Sequence, residues 1–483
     1  MGVDLVSRFR RSPGASPARA VTQAVPRPRG IRLNAALAVG LWVLLWAGYN
    51  TGLWFVEDPR FPVSFMQLIH GLRAFVPLVA AWIAFLLMLT RIHRLVRWIL
   101  GPLGLILLYA VVGLASSAFV SIEPVDAIYW GGMYLATVLV LLAIVPVEDP
   151  LPDLRQVLLL NWIVDGMLTL SLLGALPFLG RQAMAESDAG PVGVRAYGAS
   201  YGETLGMAST RNTGFGRYAA ISGIVALARV WEGKRRTRLI WGGVLAASLY
   251  ALVLSNGRTE VLAFIAGAFL VLAPLKKKRA VFVVVGIASA ALLGLVGFYD
   301  KFFRYITRSG RMDVTMVTMS GRTYTWEHGW KLFLTSPWWG LGFQADRYYL
   351  HQHMHDAFLH VLVQSGILGG GAILLALLIV LMLTAKYFFL RPPRDKALIP
   401  PEIPGVLLFV TISSVAESTF AYYSAAWLLS APIFAYVLAL DRHMRRSQAK
   451  AELGRLQRGP SARSRLQPAG SPGGADRARA APG

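Results

Sequence analysis

The chain is 483 residues long, 55% hydrophobic and only 15% charged, with no cysteine. That charged fraction lies far below the roughly 25% of soluble domains, and with a mean hydropathy of +0.52 it excludes an ordinary soluble globule; zero cysteines exclude a disulfide framework and a thiolate centre. The net charge of +23 is set in alternate loops between apolar runs, which argues for membrane topology and against nucleic acid as a partner.

In chain order, residues 1–32 form a basic segment rich in Arg, Pro, Ser and Ala, read as disordered and unlike a cleavable signal peptide. The region 33–440 reads as an all-α polytopic membrane domain of about twelve transmembrane helices, since runs of about 20 apolar residues cross a bilayer core. They fall near 33–55, 63–90, 98–116, 126–147, 156–177, 214–230, 240–254, 259–275, 281–299, 357–390, 403–422 and 425–440. Arg91, Arg94 and Arg97, Lys234 to Arg238, Lys276 to Arg279, and Arg391, Arg394 and Lys396 mark cytoplasmic loops, with both termini on the same side. Residues 178–213 and 300–356 then become long outward loops, the second a large one before the tenth span. Residues 441–483 read as a disordered basic tail.

Polar groups at the outward edge are the functional candidates. Arg258, in LSNGRTEVLAF, sits where Gly257 permits a tight turn and a helix begins. An anion there would meet a guanidinium and free backbone N–H groups; the plainer alternative is an arginine snorkelling to lipid headgroups. Arg322, in MSGRTYTWEHGWKLF, follows a Ser-Gly turn and opens an amphipathic helix on which Trp326, Trp330 and Phe333 share an apolar face; the alternative is a loop arginine paired with Glu327. His355 opens the tenth span in HQHMHDAFLHVLVQSGILG and has the right chemistry to take a proton near neutral pH. His351, His353 and His355 alternate, so an extended segment would align three imidazoles for a metal, but a helix starting here breaks that alternation, and the reading adopted is no metal and no cofactor. Arg73, Asp165, Arg211, Arg217 and Glu417 are ionisable groups in or beside apolar spans, each a ligand contact or an internal structural pair. No nucleotide loop, HExxH or GxSxG motif occurs.

The stretches RNTGFGRYAA, SNGRTEVLAF, SGRTYTWEHGWKLFLTSPWWGLGF and HDAFLHVLVQSGILGG occur in that order between Arg211 and Gly369. Together they resemble the O-antigen ligase and polysaccharide polymerase family of bacterial inner-membrane glycosyltransferases. The last fits that family's motif of His, a small polar residue, nine residues and G-x-x-G, at His355, Asp356, Gly366 and Gly369; Asp356 departs from the usual Asn, Ser or Gln. The resemblance implies a GT-C-like helical bundle whose periplasmic loop caps the active site, and metal-independent, inverting transfer of a glycan. The implied donor is undecaprenyl diphosphate-linked. The implied acceptor is a lipid A core for a ligase, or a growing glycan for a polymerase. It also implies catalytic roles for Arg258, Arg322 and His355; Arg211, Arg217, Arg73 and Glu417 are candidates for binding the donor diphosphate or sugar from their place in or beside apolar spans. A reading of another class is a lipid-linked glycan flippase with a polar path through Arg73, Asp165 and Glu417.

Overall fold

The computed structural model describes residues 33–49, 71–179, 212–232, 235–255, 257–273, 322–389 and 399–457. Among them all regular structure is helical. The helices are α1 (Leu33–Ala47), α2 (Val76–Leu89), α3 (Ile92–Ile99), α4 (Pro102–Phe119), α5 (Pro124–Ile144), α6 (Leu151–Leu179), α7 (Asn212–Glu232), α8 (Arg235–Leu254), α9 (Arg258–Leu272), α10 (Arg322–Thr335), α11 (Ala345–Leu350), α12 (Ala357–Phe389), α13 (Glu402–Ser413) and α14 (Ala425–Gln457). Proline stands in the first turn of α2, α4 and α5, where its missing N–H removes no intrahelical bond and its fixed φ favours the helix.

Seven helices are long and apolar enough to cross a membrane: Gly71–Leu89, Pro102–Phe119, Pro124–Ile144, Leu151–Gly174, Arg235–Leu254, Ala357–Phe389 and Ala425–Leu453. Three shorter apolar helices, Asn34–Ala47, Thr259–Leu272 and Glu402–Ser413, join them. The expected count of twelve therefore stands at seven long and three short among the described residues, and the expected span at 281–299 lies outside them. The eleventh expected span, 403–422, stops early: α13 ends at Ser413, and the chain from 414 to 424 is non-helical. The twelfth runs on, α14 reaching Gln457 through a stretch of good helix formers.

Two compact units are distinguished. One spans Val25–Ala439; the other combines Met1–Ala24 with Leu440–Gly483. In the second, the described part is the end of α14, with an Arg445–Asp441 ion pair one turn apart at 2.7 Å.

In the larger unit α7 is the central helix. It is apolar on nearly every face from Phe215 to Ala228, as a helix surrounded by others must be, and it packs against α6, α8, α9 and α13. Asn161 of α6 ties three spans together. Its Oδ1 accepts the indole N–H groups of Trp42 (2.8 Å) and Trp46 (2.9 Å), and its amide donates to the Leu428 carbonyl at 2.8 Å. A buried amide so fully paired fixes register where apolar packing alone would permit sliding.

The decisive local feature is a break in α12. Ser365 and Gly366 leave helical geometry, Gly366 with φ +61 and ψ −165, a conformation open only to glycine. The WWGLG loop after α10 fills the break. Ile367 N–H donates to Pro337 O (2.8 Å), Leu341 N–H to Val363 O (2.8 Å) and Gly342 N–H to Gln364 O (2.9 Å). A Cβ on Gly366 would lie 2.2 Å from the Trp338 carbonyl, and one on Gly340 (φ +75) 2.4 Å from Ser365 N. The G-x-x-G spacing thus has a mechanical reason. Gly366 admits the loop, and Gly369 lets α12 close on Val112 of α4, whose Cβ a side chain would approach to 3.2 Å.

Candidate functional site

The docked loop returns through α11 to His355. On the way Asp346, fully buried, accepts His353 Nδ1–H at 2.9 Å and Met354 N–H at 3.0 Å, both on Oδ2. From the other side Trp326 Nε1 donates to the Met354 carbonyl at 3.0 Å. Both polar groups of the residue before His355 are therefore held. Beyond it, Asp356 Oδ1 accepts Leu359 N–H at 2.9 Å, an N-cap for α12, and Ala357 N–H donates to Ser414 O at 2.8 Å. Asn, Ser and Asp are all good N-caps, so Asp356 does the work of the usual small polar residue. Held on both sides, His355 adopts φ +54, a sparsely populated conformation for a non-glycine residue.

Four elements meet at Glu417, in the segment between α13 and α14. Its Oε2 lies 3.2 Å from Arg217 of α7 and 3.2 Å from His355 Nδ1, and its Oε1 lies 3.2 Å from Arg322 at the start of α10. Burial alone would raise the Glu417 carboxyl, but His355, Arg217 and Arg322 hold it well below the usual carboxylate range. Each guanidinium has five N–H donors and gives this carboxylate one, so donors remain for a second anion. Arg217 Nε is buried with no hydrogen-bond partner.

Glu260, which the sequence reading passed over, belongs to this cluster. It interacts electrostatically with Glu417, Arg217 and Arg322; it is 1% exposed, and its Oε1 has no hydrogen-bond partner. Glycines make room for it, since a Cβ on Gly257 would sit 2.4 Å from Glu260 Oε2. The available signal was a carboxylate in the first turn of a short apolar helix, two residues after Arg258.

Residues 243–374 match the O-antigen ligase family. The chain thus carries an O-antigen ligase family domain over that stretch, about a quarter of its length. No curated protein matches the chain. The O-antigen ligase domain holds Arg258, Glu260, Arg322, Asp346 and His355, while Arg217 and Glu417 reach the cluster from outside it. The protein is a glycosyl-transfer enzyme of the ligase and polymerase type, built on a multi-pass helical membrane scaffold.

The remaining candidate residues sort as follows. Arg258 begins α9, but its side chain, like all of Arg211, lies outside the described residues. Arg73 donates to the carbonyls of Ala47 (2.9 Å) and Tyr49 (3.2 Å), closing the C-terminal end of α1, a structural task at a helix end short of donors. Asp165 is fully buried and accepts Ser222 Oγ–H at 2.7 Å. Trp326 and Phe333 join the apolar core beneath α10, whereas Trp330, expected on the same face, lies at its edge, half exposed with its ring against Phe333 at a centroid separation of 5.1 Å. Glu327, the alternative partner of Arg322, pairs with Lys331 at 2.7 Å.

The alternating histidines do not form one row. His351 and His355 both take left-handed φ, which breaks the extended path, and His351 is exposed. His353 instead gathers with Asp346 and His360, one ligand atom from each lying within 4.8 Å of the others. The contacts are 2.9 Å from His353 Nδ1 to Asp346 Oδ2 and 3.0 Å from His360 Nε2 to Asp346 Oδ1.

Proposed function

We propose that this enzyme transfers a glycan from an undecaprenyl diphosphate-linked donor to a sugar hydroxyl of a lipid A core, at the periplasmic face of a bacterial inner membrane, with inversion and without a metal. The observation that carries the reading is the convergence of Arg217, Arg322 and His355 on Glu417, within and beside the O-antigen ligase domain. A flippase path would string its charges through the spans. Here Arg73 and Asp165 are engaged locally, and the cationic groups gather at one place.

In this reaction the bond between the anomeric carbon and the phosphate oxygen breaks, and the diphosphate leaves with the electron pair. The acceptor hydroxyl oxygen attacks the opposite face of the anomeric carbon, and its proton passes to His355. Arg322 and Arg217, with Arg258 as their expected companion, stabilise the charge developing on the diphosphate more than that of the bound donor, which is what lowers the barrier. Glu417 accepts Nδ1–H of His355, fixing the tautomer that leaves Nε2 free as base and stabilising the imidazolium that forms, as a carboxylate behind a histidine does in acyl transfer. The donor bond is itself activated, so no nucleotide is consumed.

The test is transfer by purified protein from lipid-linked donor to rough lipopolysaccharide in the presence of EDTA. A capped lipid A core is the expected product; a lengthened lipid-linked glycan instead assigns the polymerase reaction. Activity lost to EDTA and regained with Mn²⁺ or Mg²⁺ sinks the metal-free mechanism. Normal glycan ladders from Arg258→Ala, Arg322→Ala and His355→Ala in a deletion strain would mean that the site is elsewhere.

A further inference from the structure

His355 is not the only imidazole of its segment backed by a carboxylate. His353 donates Nδ1–H to Asp346 Oδ2 at 2.9 Å, as His355 turns its own Nδ1 to Glu417 Oε2 at 3.2 Å. The two rings are in contact edge to face, with centroids 4.6 Å apart and planes at 72°. Their side chains are 12% and 22% exposed. Beyond these bonds neither ring has a hydrogen bond among the described residues, so in each the Nε2 lone pair is left as an acceptor.

The Asp346–His353 pair is rigid. Asp346 also holds Met354 N–H at 3.0 Å and faces His360 Nε2 at 3.0 Å. Burial pushes the His353 imidazole down to about 3, so it stays uncharged beside His355 and serves as a neutral acceptor rather than a second base. The same three side chains carry a metal's donor chemistry, but the 2.9 Å from His353 Nδ1 to Asp346 Oδ2 is the length of an imidazole N–H on a carboxylate, and His360 Nε2 is engaged by Gln364 Nε2 at 2.6 Å.

A sugar presents hydroxyls on adjacent ring carbons, and two adjacent imidazole acceptors suit such a pair. We propose that His353, held by Asp346, forms an acceptor-hydroxyl subsite: its Nε2 accepts a hydrogen bond from the hydroxyl next to the nucleophilic one, while His355 takes the proton of the nucleophile. The ligand class is a vicinal diol of the acceptor sugar, and the proposal rests on the transferase reading above.

The test is steady-state transfer by the full chain in nanodiscs, with lipid-linked donor and rough lipopolysaccharide varied separately. His353→Phe keeps the ring and removes the acceptor atom. It should raise the acceptor KM about tenfold or more, leaving the donor KM and the pH profile unchanged, a split that a general structural lesion does not give. His353→Gln, which can both donate to Asp346 and accept from a hydroxyl, should restore most of the loss. His353→Asn, too short to do both, should show the same split as Phe and serves if the Phe variant does not fold. An unchanged acceptor KM, or an equal rise in both KM values, overturns the subsite. One zinc ion per chain that is lost in His353→Phe overturns it too, because a metal would then occupy the imidazole. The transferase reading fails separately: full activity in His355→Ala sinks that reading, whereas an inactive His355→Ala with a normal acceptor KM in His353→Phe sinks only the subsite.

Discussion

Glu417 Oε2 sits 3.2 Å from His355 Nδ1, while the same carboxylate holds Arg217 and Arg322 at 3.2 Å each. In the proposed reaction, one buried anion thus orients the base and positions two of the cations that the leaving diphosphate needs. Removing it should separate stability from chemistry. Glu417→Ala leaves the part-buried guanidinium groups of Arg217 and Arg322 uncompensated and should cost about 3 kcal/mol, the low end for breaking a buried pair, read as a lower apparent melting temperature. Glu417→Gln keeps the shape and an acceptor for His355 but loses the charge. Its kcat should fall about 100-fold, the low end of what a positioned base contributes, with the donor KM unchanged or lower because the arginines are freed. Wild-type kcat in the Gln variant would leave Glu417 a purely structural anchor.

Arg322 tests the electrostatic part. Its guanidinium, about a quarter exposed, uses one N–H on Glu417. Arg322→Ala should lower kcat about 10²–10³-fold, the cost of one lost transition-state donor. Arg322→Lys keeps charge but not the planar fork, and should recover only part of the loss. Single-turnover measurement with radiolabelled donor separates this from a change in donor binding; full recovery by Lys would argue for a point charge alone.

Much of this centre was legible in the sequence as separate pieces. Arg322 and His355 stood out as a charged helix start and a histidine at a span edge, and Glu417 as an ionisable residue near the outer end of a span. Their meeting was not legible, because Glu417 contacts them across 95 and 62 residues of chain and no local periodicity reports a contact that long. Asp346 left no local signal at all: its role depends on the loop before it docking into α12. Glu260 and the end of α13 at Ser413 were hidden for a related reason. An apolar run states that a segment is buried, but not where tertiary hydrogen bonds such as Ala357 N–H to Ser414 O replace helical ones.

The helix break offers a test of the G-x-x-G spacing. Gly366→Ala would put a methyl 2.2 Å from the Trp338 carbonyl at φ +61. Backbone strain of this kind costs about 1–3 kcal/mol, and relief requires the WWGLG loop to withdraw. The expected outcome is a lowered melting temperature with faster hydrogen exchange at Leu341 and Gly342, whose N–H groups bond into the break. Protection unchanged at those two amides would show that the loop is held by other contacts.

The pH dependence of stability follows from His353, Glu417 and Asp346. The His353 imidazole is driven by burial from its ordinary 6.5 to about 3, surrounded by Asp346, His355, His360 and Tyr422. An unfolded chain takes up this proton below about pH 6.5 and the native one does not, so the contribution is present above 6.5 and lost as pH falls toward 3. At full slope this amounts to about 1.4 kcal/mol per pH unit. The Glu417 carboxyl is lowered in the fold from 4.5, and that of Asp346 well below 3.8, by their cationic and imidazole neighbours against the effect of burial. The stability they contribute is present above those ordinary values and is lost only below them. Acid lability should therefore come in two stages: a first decline between pH 6.5 and 4.5, then a steeper one. Melting temperatures in nanodiscs across that range check it. His353→Gln should flatten the first stage and leave the second, and a first stage that persists in that variant would assign it to another group.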